Sequence, residues 1–176
     1  MRDFLSLLPI IEIPDPVLRK RARKVRRIDK SILKLANNMV DTLREAGGVG
    51  LAANQVGKLQ RIIVIQLPDE CDARIYVNPE IVKIEGQREV EEGCLSIPDI
   101  QGRVSRFSRI SLEGLDHEGK NYQEEFEGFA ARICQHETDH LDGMIFFDKM
   151  DNLDTLTFGQ EYHRFWAKRE DPENTD

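Results

Sequence analysis

The 176-residue chain is poor in cysteine: it has only Cys71, Cys94 and Cys134, and no two of them form a CxxC pair. An odd and sparse set of this kind argues against a disulfide scaffold and favours a reducing compartment. No apolar run approaches the ~18 residues of a membrane-spanning helix, and Pro9 and Glu12 interrupt the apolar start. Because no small-residue cleavage site follows, we expect no signal peptide and a cytoplasmic protein.

The chain also has few basic residues relative to acidic ones, with 25 Lys and Arg against 32 Asp and Glu and a net charge of −7. An acidic surface argues against non-specific duplex binding and adhesion to an anionic membrane, although it leaves room for a small basic patch. Apolar residues make up 40% of the chain and charged residues 32%, which is typical of a globular protein. We expect a single domain over residues 1–170 and an acidic, disordered tail over residues 171–176.

Hydrophobic periodicity predicts helices at both ends of the chain and strands between them. Asp29 predicts the N-cap of a helix whose apolar residues recur at helical spacing as far as Ala46. A last helix is expected over residues 155–169. The predicted strands lie at residues 61–67, 75–77 and 80–84 and within 104–126, where residues 116–119 form a hairpin turn. Strands clustered between helices indicate an α+β fold rather than a doubly wound one.

One five-residue segment has the pattern of a metal site. His136-Glu137-Thr138-Asp139-His140 is an H-E-x-x-H sequence, which we expect on a helix between Gly128 and Gly143. Two histidines four residues apart share one helical face and can bind one metal ion, and the glutamate can reach a metal-bound water. Phe129 and Ile133 lie on the same face, so both histidine rings are expected to point inward rather than into solvent.

A catalytic metal ion needs a third ligand from elsewhere in the chain. A metzincin would supply another histidine, but Phe146 stands at that position. In a gluzincin a later glutamate serves, and Glu161 fits that pattern. Cys134 lies about 200° around the helix from His136 and therefore faces away. Cys94 is another residue to weigh, although a cysteine that follows a glycine at a strand end is more often structural.

Three segments resemble the signatures of the peptide deformylase family, and they occur in the family's order. Residues 48–55 (GVGLAANQ) resemble the first signature, residues 92–96 (EGCLS) the second, and residues 135–143 (QHETDHLDG) the third. Residues 13–19 (IPDPVLR) are also similar to the family's N-terminus. The resemblance covers roughly residues 10–150.

The resemblance implies a metal-dependent hydrolase that removes the formyl group from the N-terminal formyl-methionine of newly synthesised polypeptides. Metal-bound water or hydroxide attacks the formyl carbon, and formate is released. By this resemblance Cys94, His136 and His140 bind one divalent ion, with Fe(II) favoured and Zn, Ni or Co as alternatives. Glu137 would act as general base and then as general acid.

The resemblance also implies residues that contact the substrate. The side-chain amide of Gln55 and the backbone N–H of Leu95 stabilise the negative charge on the formyl oxygen. Further positions are expected to bind the extended peptide or the methionine side chain: Gly48, Val49, Gly50, Val90, Leu95, Phe129 and Ile133. The implied partners are N-formyl-Met nascent peptides, with a transient ribosome contact, no specific nucleic-acid sequence and no membrane.

The implied fold is a single α+β domain of mainly antiparallel sheet around the H-E-x-x-H helix, with an N-terminal and a C-terminal helix. Two features depart from the family's pattern: Asp99 stands where many members carry glycine, and Arg132 where an apolar residue is frequent. The short acidic C-terminus also puts in doubt ribosome docking through a basic C-terminal helix. The alternatives are a gluzincin-type peptidase and a non-catalytic metal- or peptide-binding module, but Glu137 would have no use in a purely structural site.

Overall fold

The structure, a computed structural model, describes residues 7–159. Within these residues the chain forms eight strands, two α-helices and four short 3-10 helices. The strands are β1 (Gly50–Ala52), β2 (Ile62–Ile65), β3 (Arg74–Glu85), β4 (Arg88–Cys94), β5 (Ile97–Arg106), β6 (Arg109–Leu115), β7 (Asn121–Glu127) and β8 (Thr157–Phe158). The α-helices are α1 (Lys30–Glu45) and α2 (Gly128–Leu141), and the 3-10 helices are Pro16–Arg19, Ala53–Val56, Phe146–Lys149 and Leu153–Thr155.

The strands form two sheets in this part of the chain, one with the order β1-β2-β3-β6-β7 and one with the order β4-β5-β8. Every pair of neighbouring strands is antiparallel. The predicted α+β class with mainly antiparallel sheet is therefore confirmed. Neither α-helix within residues 7–159 has the length and hydropathy needed to cross a membrane.

Strand β2 (IIVI) is buried on both faces because a helix covers each side of the larger sheet. Side chains alternate across a strand, so Ile62 and Val64 join the apolar cluster of α1, whereas Ile63 and Ile65 join that of α2. All four are at most 2% exposed. Complete burial of such side chains stabilises a fold by about 1.5–3 kcal/mol each. Strand β2 thus fixes both helices relative to one another.

The two predicted helices within the described residues are confirmed. Asp29 caps α1, since its carboxylate accepts hydrogen bonds from the amides of Ser31 and Ile32 at 2.9 and 3.0 Å. Helix α2 begins at Gly128 and is followed by Gly143, whose φ of +75° lies in the left-handed region that favours glycine.

The prediction of separate strands at residues 75–77 and 80–84 is wrong, because β3 runs through both. The pairing with β6 shifts register between Val77 and Glu80, and Asn78 has a φ of +53°. Asparagine adopts this conformation more readily than most residues. Its side chain is held by the backbone N–H and carbonyl of Val25 at 2.8 and 2.9 Å, so the strand is distorted there without ending.

The start of the predicted C-terminal helix is also wrong. Instead of helix, Thr157–Phe158 forms β8, which pairs with β5 through Ile100 and Gln101. This pairing is non-local, so helical spacing in the sequence gave no sign of it. Residues 160–169 of the predicted helix and the tail at 171–176 lie outside the described residues, and the boundary at residue 170 stays a prediction.

Candidate metal centre

A cavity of about 680 Å³ opens between the two sheets and α2 in the described part of the chain. Its wall includes most of the segments that the sequence singled out, from residues 48–50 and 92–95 to α2. Its lining residues include Gly48, Val49, Gly50, Gln55, Glu92, Cys94, Leu95, Ile133, His136 and Glu137.

Three potential metal ligands converge beside this cavity, and they come from two different elements. Cys94 ends β4, while His136 and His140 lie one turn apart on α2. The Nε2 atoms of the two histidines are 3.2 Å apart, and the Cys94 Sγ is 3.3 Å from the His140 Nε2. All three ligand atoms lie within 4.8 Å of one another.

This spacing fits one bound metal ion. Ligand atoms around a tetrahedral ion, with metal–nitrogen bonds of about 2.0–2.1 Å and a metal–sulfur bond of about 2.3 Å, lie about 3.3–3.6 Å apart. The distances at His140 are close to those values. Burial holds the pKa of His140 well below its ordinary range, with the neighbouring His136 acting in the same direction. A neutral imidazole is the form that binds a metal.

The orientation of His136 is fixed from behind by Glu92. The Glu92 carboxylate accepts a hydrogen bond from the His136 Nδ1 at 2.9 Å, which leaves Nε2 directed toward Cys94 and His140. Arg106 donates two hydrogen bonds to the same carboxylate at 2.8 and 2.9 Å. A further guanidinium nitrogen of Arg106 donates to Asp139 on α2 at 2.6 Å. Partners of this kind orient the ligands of a metal site.

Glu92 and Arg106 form a deeply buried ion pair, with side chains 3% and 5% exposed. Burial opposes ionisation of Glu92, but hydrogen bonds from His136 and Arg106 overcome it and lower the pKa of Glu92 to about 2. Glu92 is therefore an anion behind the ligands. Removal of one partner would leave an uncompensated buried charge.

Glu137 lines the cavity and directly follows the potential ligand His136 on α2. The residue is 4% exposed, and its Oε2 has no hydrogen-bond partner within the described residues. Burial raises the pKa of Glu137 to about 7, although the nearby His136 acts in the opposite direction. A carboxyl group of this kind can exchange a proton near neutral pH.

Gly50 makes room for that carboxyl group. A Cβ atom on Gly50 would lie 2.8 Å from both the Glu137 carboxyl carbon and the Ile133 Cγ2. Distances this short essentially never occur for real Cβ atoms, so a side chain at position 50 would force Glu137 and Ile133 to move. Glycine leaves the carboxyl group in its place.

Gln55 faces the ligands from the 3-10 helix that follows β1. Its Oε1 accepts a hydrogen bond from the Ala52 amide at 2.8 Å, which fixes the direction of the Nε2. That nitrogen lies 3.5 Å from the Cys94 Sγ and donates to the Ser96 hydroxyl at 3.2 Å. The side-chain amide is thus a fixed donor at the edge of the cluster.

The sequence matches a family model described as "Polypeptide deformylase" over residues 7–155. The chain belongs to the polypeptide deformylase family. Its activity is that of a peptide deformylase, a hydrolase that removes the formyl group from N-terminal formyl-methionine. The family is metal-dependent, and the cluster of Cys94, His136 and His140 is a potential site for the ion.

Deformylases from several bacteria are similar to the chain over most of its length. The peptide deformylase of Desulforudis audaxviator (strain MP104C) is 47% identical over 146 residues, which cover 82% of this chain and 94% of that relative. A crystal structure of a peptide deformylase from Legionella pneumophila has a TM-score of 0.81 and 37% identity, and the match covers 97% of this chain and 99% of that one. A Met-Ala-Ser-bound crystal structure of a class I type b peptide deformylase from Acinetobacter baumannii has a TM-score of 0.78 and 34% identity over 83% of this chain and 99% of that one.

The structure does not bring all of the expected deformylase pocket residues to the cavity. Gly48, Val49, Gly50, Leu95 and Ile133 line it, but Val90 and Phe129 are not part of its wall. Val90 packs against the apolar cluster of Ile97, Val104, Ile145 and Phe146. Phe129 is 40% exposed, and the guanidinium of Arg132 lies 4.6 Å from its ring centroid.

Both departures from the deformylase pattern lie at the rim. Asp99 has a φ of +62°, in the region that favours glycine, which gives a physical reason why many members carry glycine there. Arg132 lines the cavity and donates a hydrogen bond to the Glu91 carbonyl at 2.8 Å. Glu161, the third ligand in the gluzincin alternative, lies outside the described residues. The match to the deformylase family does not support that alternative.

Arg106 belongs to the site although no sequence motif indicated it, and the strand pattern carried a signal for it. Residues 102, 104 and 106 alternate on the buried face of β5, so period-2 spacing from Val104 places Arg106 inward. A buried arginine in that register indicates an acidic partner. Glu92 occupies the buried face of β4 for the same reason.

Proposed function

We propose that Cys94, His136 and His140 hold the metal ion of this deformylase and that Glu137 transfers the proton during hydrolysis of the formyl–nitrogen bond. The observation that carries this proposal is the convergence of two imidazole nitrogens and one thiol near a buried carboxyl group, one oxygen of which has no hydrogen-bond partner among residues 7–159. A divalent ion on these ligands would acidify a water molecule and polarise the formyl carbonyl.

Glu137 is suited to accept a proton from the attacking water and to return it to the departing amine. Its carboxyl group lies beside the ligands, and burial raises its pKa to about 7, so both protonation states are accessible near neutral pH. A positioned general base and acid of this kind contributes roughly 10²–10⁴ in rate.

Gln55 and the backbone N–H of Leu95 would stabilise the charge that develops on the formyl oxygen. The Ala52 amide holds the side-chain oxygen of Gln55, so its nitrogen is directed toward the Cys94 side of the cavity without further rearrangement. Removal of one such donor typically costs about 3–4 kcal/mol in the transition state.

The substrate would lie along the cavity with its methionine side chain against the apolar wall of Val49, Leu95 and Ile133. Gly48 and Gly50 would leave space for the extended peptide beside β1. Val90 and Phe129 stay predictions as pocket residues; their placement away from the cavity wall does not support them. The Met-Ala-Ser bound to the Acinetobacter baumannii deformylase supports formyl-Met-Ala-Ser as the test peptide.

The proposed reaction is tested by formate release from formyl-Met-Ala-Ser, with acetyl-Met-Ala-Ser as the matched control. We expect the acetylated peptide to react far more slowly, because its extra methyl group must fit beside the ligands, Gln55 and Leu95. No internal peptide bond should be cleaved. Peptide-bond cleavage without formate release would overturn the proposal.

The proposed metal is Fe(II), with Zn, Ni or Co as alternatives, since a site with two nitrogens and one sulfur accepts all four. Metal content of Cys94→Ser, Cys71→Ser and Cys134→Ala tests the ligand set. Only Cys94→Ser should lose the ion, because Cys71 is exposed and Cys134 is buried in the core. Rapid inactivation by peroxide would support iron, and stable activity would favour zinc or nickel.

We further propose that the substrates are N-formyl-Met nascent peptides. The enzyme would encounter them in the cytoplasm, during transient contact with the ribosome. The cavity is open to solvent beside the ligands, which supports entry of a peptide N-terminus. Co-sedimentation of the enzyme with translating ribosomes, compared with empty ones, tests this contact.

A further inference from the structure

The chain contains a strongly basic segment, although its net charge is −7. Residues 19–34 contain nine of the 25 Lys and Arg residues and a single acidic residue, Asp29, so this segment alone has a formal charge of +8. The carboxylate of Asp29 is engaged as the cap of α1. The segment is therefore a positively charged region in a chain that is otherwise strongly acidic.

Most of these cations form no ion pair with a carboxylate within residues 7–159. Within the described residues Arg19, Arg21 and Lys24 form ion pairs. The remaining six are exposed and form none in the same part of the chain: Lys20, Arg23, Arg26, Arg27, Lys30 and Lys34. Such a concentration of unpaired charge attracts a polyanion.

The backbone of the basic segment is fixed to the body of the molecule. The amides of Ala22, Arg23 and Val25 donate to the Leu141 carbonyl, the Leu59 carbonyl and the Asn78 side chain, each at 2.8 Å. Ala22 and Val25 are buried, so the basic side chains between them point outward. The charges are thus presented on a preorganised surface.

We propose that the basic segment, residues 19–34, binds the phosphate backbone of double-helical RNA. Sequence-independent binding of nucleic acid comes from Lys and Arg contacts with phosphates. The segment contains no aromatic residue, so it has no platform on which bases of a single strand could stack. It also has no exposed large apolar side chain, which a membrane-surface segment needs for insertion.

The assignment to RNA, rather than to another polyanion, rests on the proposed function, because newly made polypeptides are produced where structured RNA is abundant. None of the basic residues of the segment lines the cavity. Binding through this surface therefore leaves the cavity open to a peptide, and the enzyme would act while held on RNA.

The test is fluorescence anisotropy of a labelled 20-base-pair RNA duplex with the full-length, metal-loaded enzyme over a series of KCl concentrations. The variant is Arg26→Glu with Lys30→Glu, both exposed and unpaired. The matched control is Arg88→Glu with Lys83→Glu, which changes the net charge equally at exposed residues outside the segment. Neither pair touches the cavity, so formate release from formyl-Met-Ala-Ser should stay within about twofold of the parent in both.

We expect the parent to bind with a Kd of about 10⁻⁴–10⁻⁶ M near physiological salt. The segment variant should bind at least about tenfold more weakly, with a salt slope smaller by about 2, whereas the control should change by less than about twofold. Equal weakening in both variants, or none in the segment variant, would overturn the proposal. Equally tight binding to vesicles rich in phosphatidylserine would overturn the assignment to a nucleic-acid duplex, whereas a DNA duplex of the same sequence is expected to bind similarly because the contacts are to phosphates. Loss of formate release with intact RNA binding would instead contradict the proposed function.

Discussion

Helices α1 and α2 pack on opposite faces of β2, and different interactions hold them there. The buried residues of α1 are largely apolar, as in Met39, Val40 and Leu43. Helix α2 instead buries five polar residues: Gln135, His136, Glu137, Thr138 and His140. Most of these have specific partners; Gln135, for example, bonds the backbone of Phe107 at 2.9 Å in both directions. One helix thus supplies stability through apolar burial, whereas the other uses a fixed polar network to present reactive groups.

The largest expected effect comes from removing a ligand on α2. His140→Ala should abolish metal binding and activity together, because two ligands do not retain a catalytic ion. Metal content and formate release are the measurements. Thr138→Val is the matched control, since the Thr138 hydroxyl donates to the Cys134 carbonyl on the same helix at 2.7 Å and to no other group in the described part of the chain. A His140→Ala protein with a full complement of metal would contradict the ligand assignment.

The next effect separates proton transfer from metal binding on the same helix. Glu137→Gln keeps the size of the side chain but cannot accept a proton, so kcat should fall by roughly 10²–10⁴. Gln and Glu have similar helix propensity, and the thermal melt and metal content should therefore match the parent. Normal turnover would mean that Glu137 is not the base.

A smaller effect is expected behind the ligands. Arg106→Lys keeps the charge but loses the paired hydrogen bonds to Glu92, so the metal affinity should fall by about 10–100-fold. Activity should return when excess metal is supplied, which a loss of catalytic chemistry would not allow. Arg103→Lys is the control on the same strand, because Arg103 is exposed and lies 3.6 Å from Glu89. Competition with a chelator measures the metal affinity of both variants. Equal metal affinities would show that Arg106 does not position the ligands.

The smallest effect on activity is expected from α1, where stability changes instead. Met39 is 0% exposed, so Met39→Ala should lower the free energy of unfolding by about 2–5 kcal/mol. Metal content and kcat measured well below the melting temperature should stay close to those of the parent. Asn37→Ala, at an exposed position on the same helix, should change little in either respect. Denaturant unfolding measures the stability and formate release measures the activity. A loss of stability without a loss of activity would show that α1 contributes to the first and not to the second.

Local pattern predicted both helices, because each has its own periodic apolar face and its own end signals. The same reasoning failed at residues 155–158, where pairing with β5 overrides helical spacing. At Asn78 it also failed, since a register shift keeps β3 continuous through a sequence that looks like a break. Local sequence does not contain the strand partner that decides either case.

The sequence alone predicted only part of the candidate site. The spacing of His136 and His140 places both on one helical face, so that pair followed from the residues alone. Cys94 and Gln55 came only from the family resemblance, because they are 39 residues apart in the chain and approach to 3.5 Å only in the fold. Arg106 was missed altogether, since its role depends on acidic partners from β4 and α2.

Gly50 belongs to the first signature and Glu137 to the third, and the two residues lie side by side in the fold. Any larger residue at that position would occupy the space of the Glu137 carboxyl group. A substitution there would require both Glu137 and Ile133 to move, and replacing Glu137 by a residue without a carboxyl group would relieve only the first contact while eliminating the proton carrier. We therefore expect laboratory evolution of this enzyme to accept changes at neither position, because a change at one cannot be compensated at the other without loss of activity.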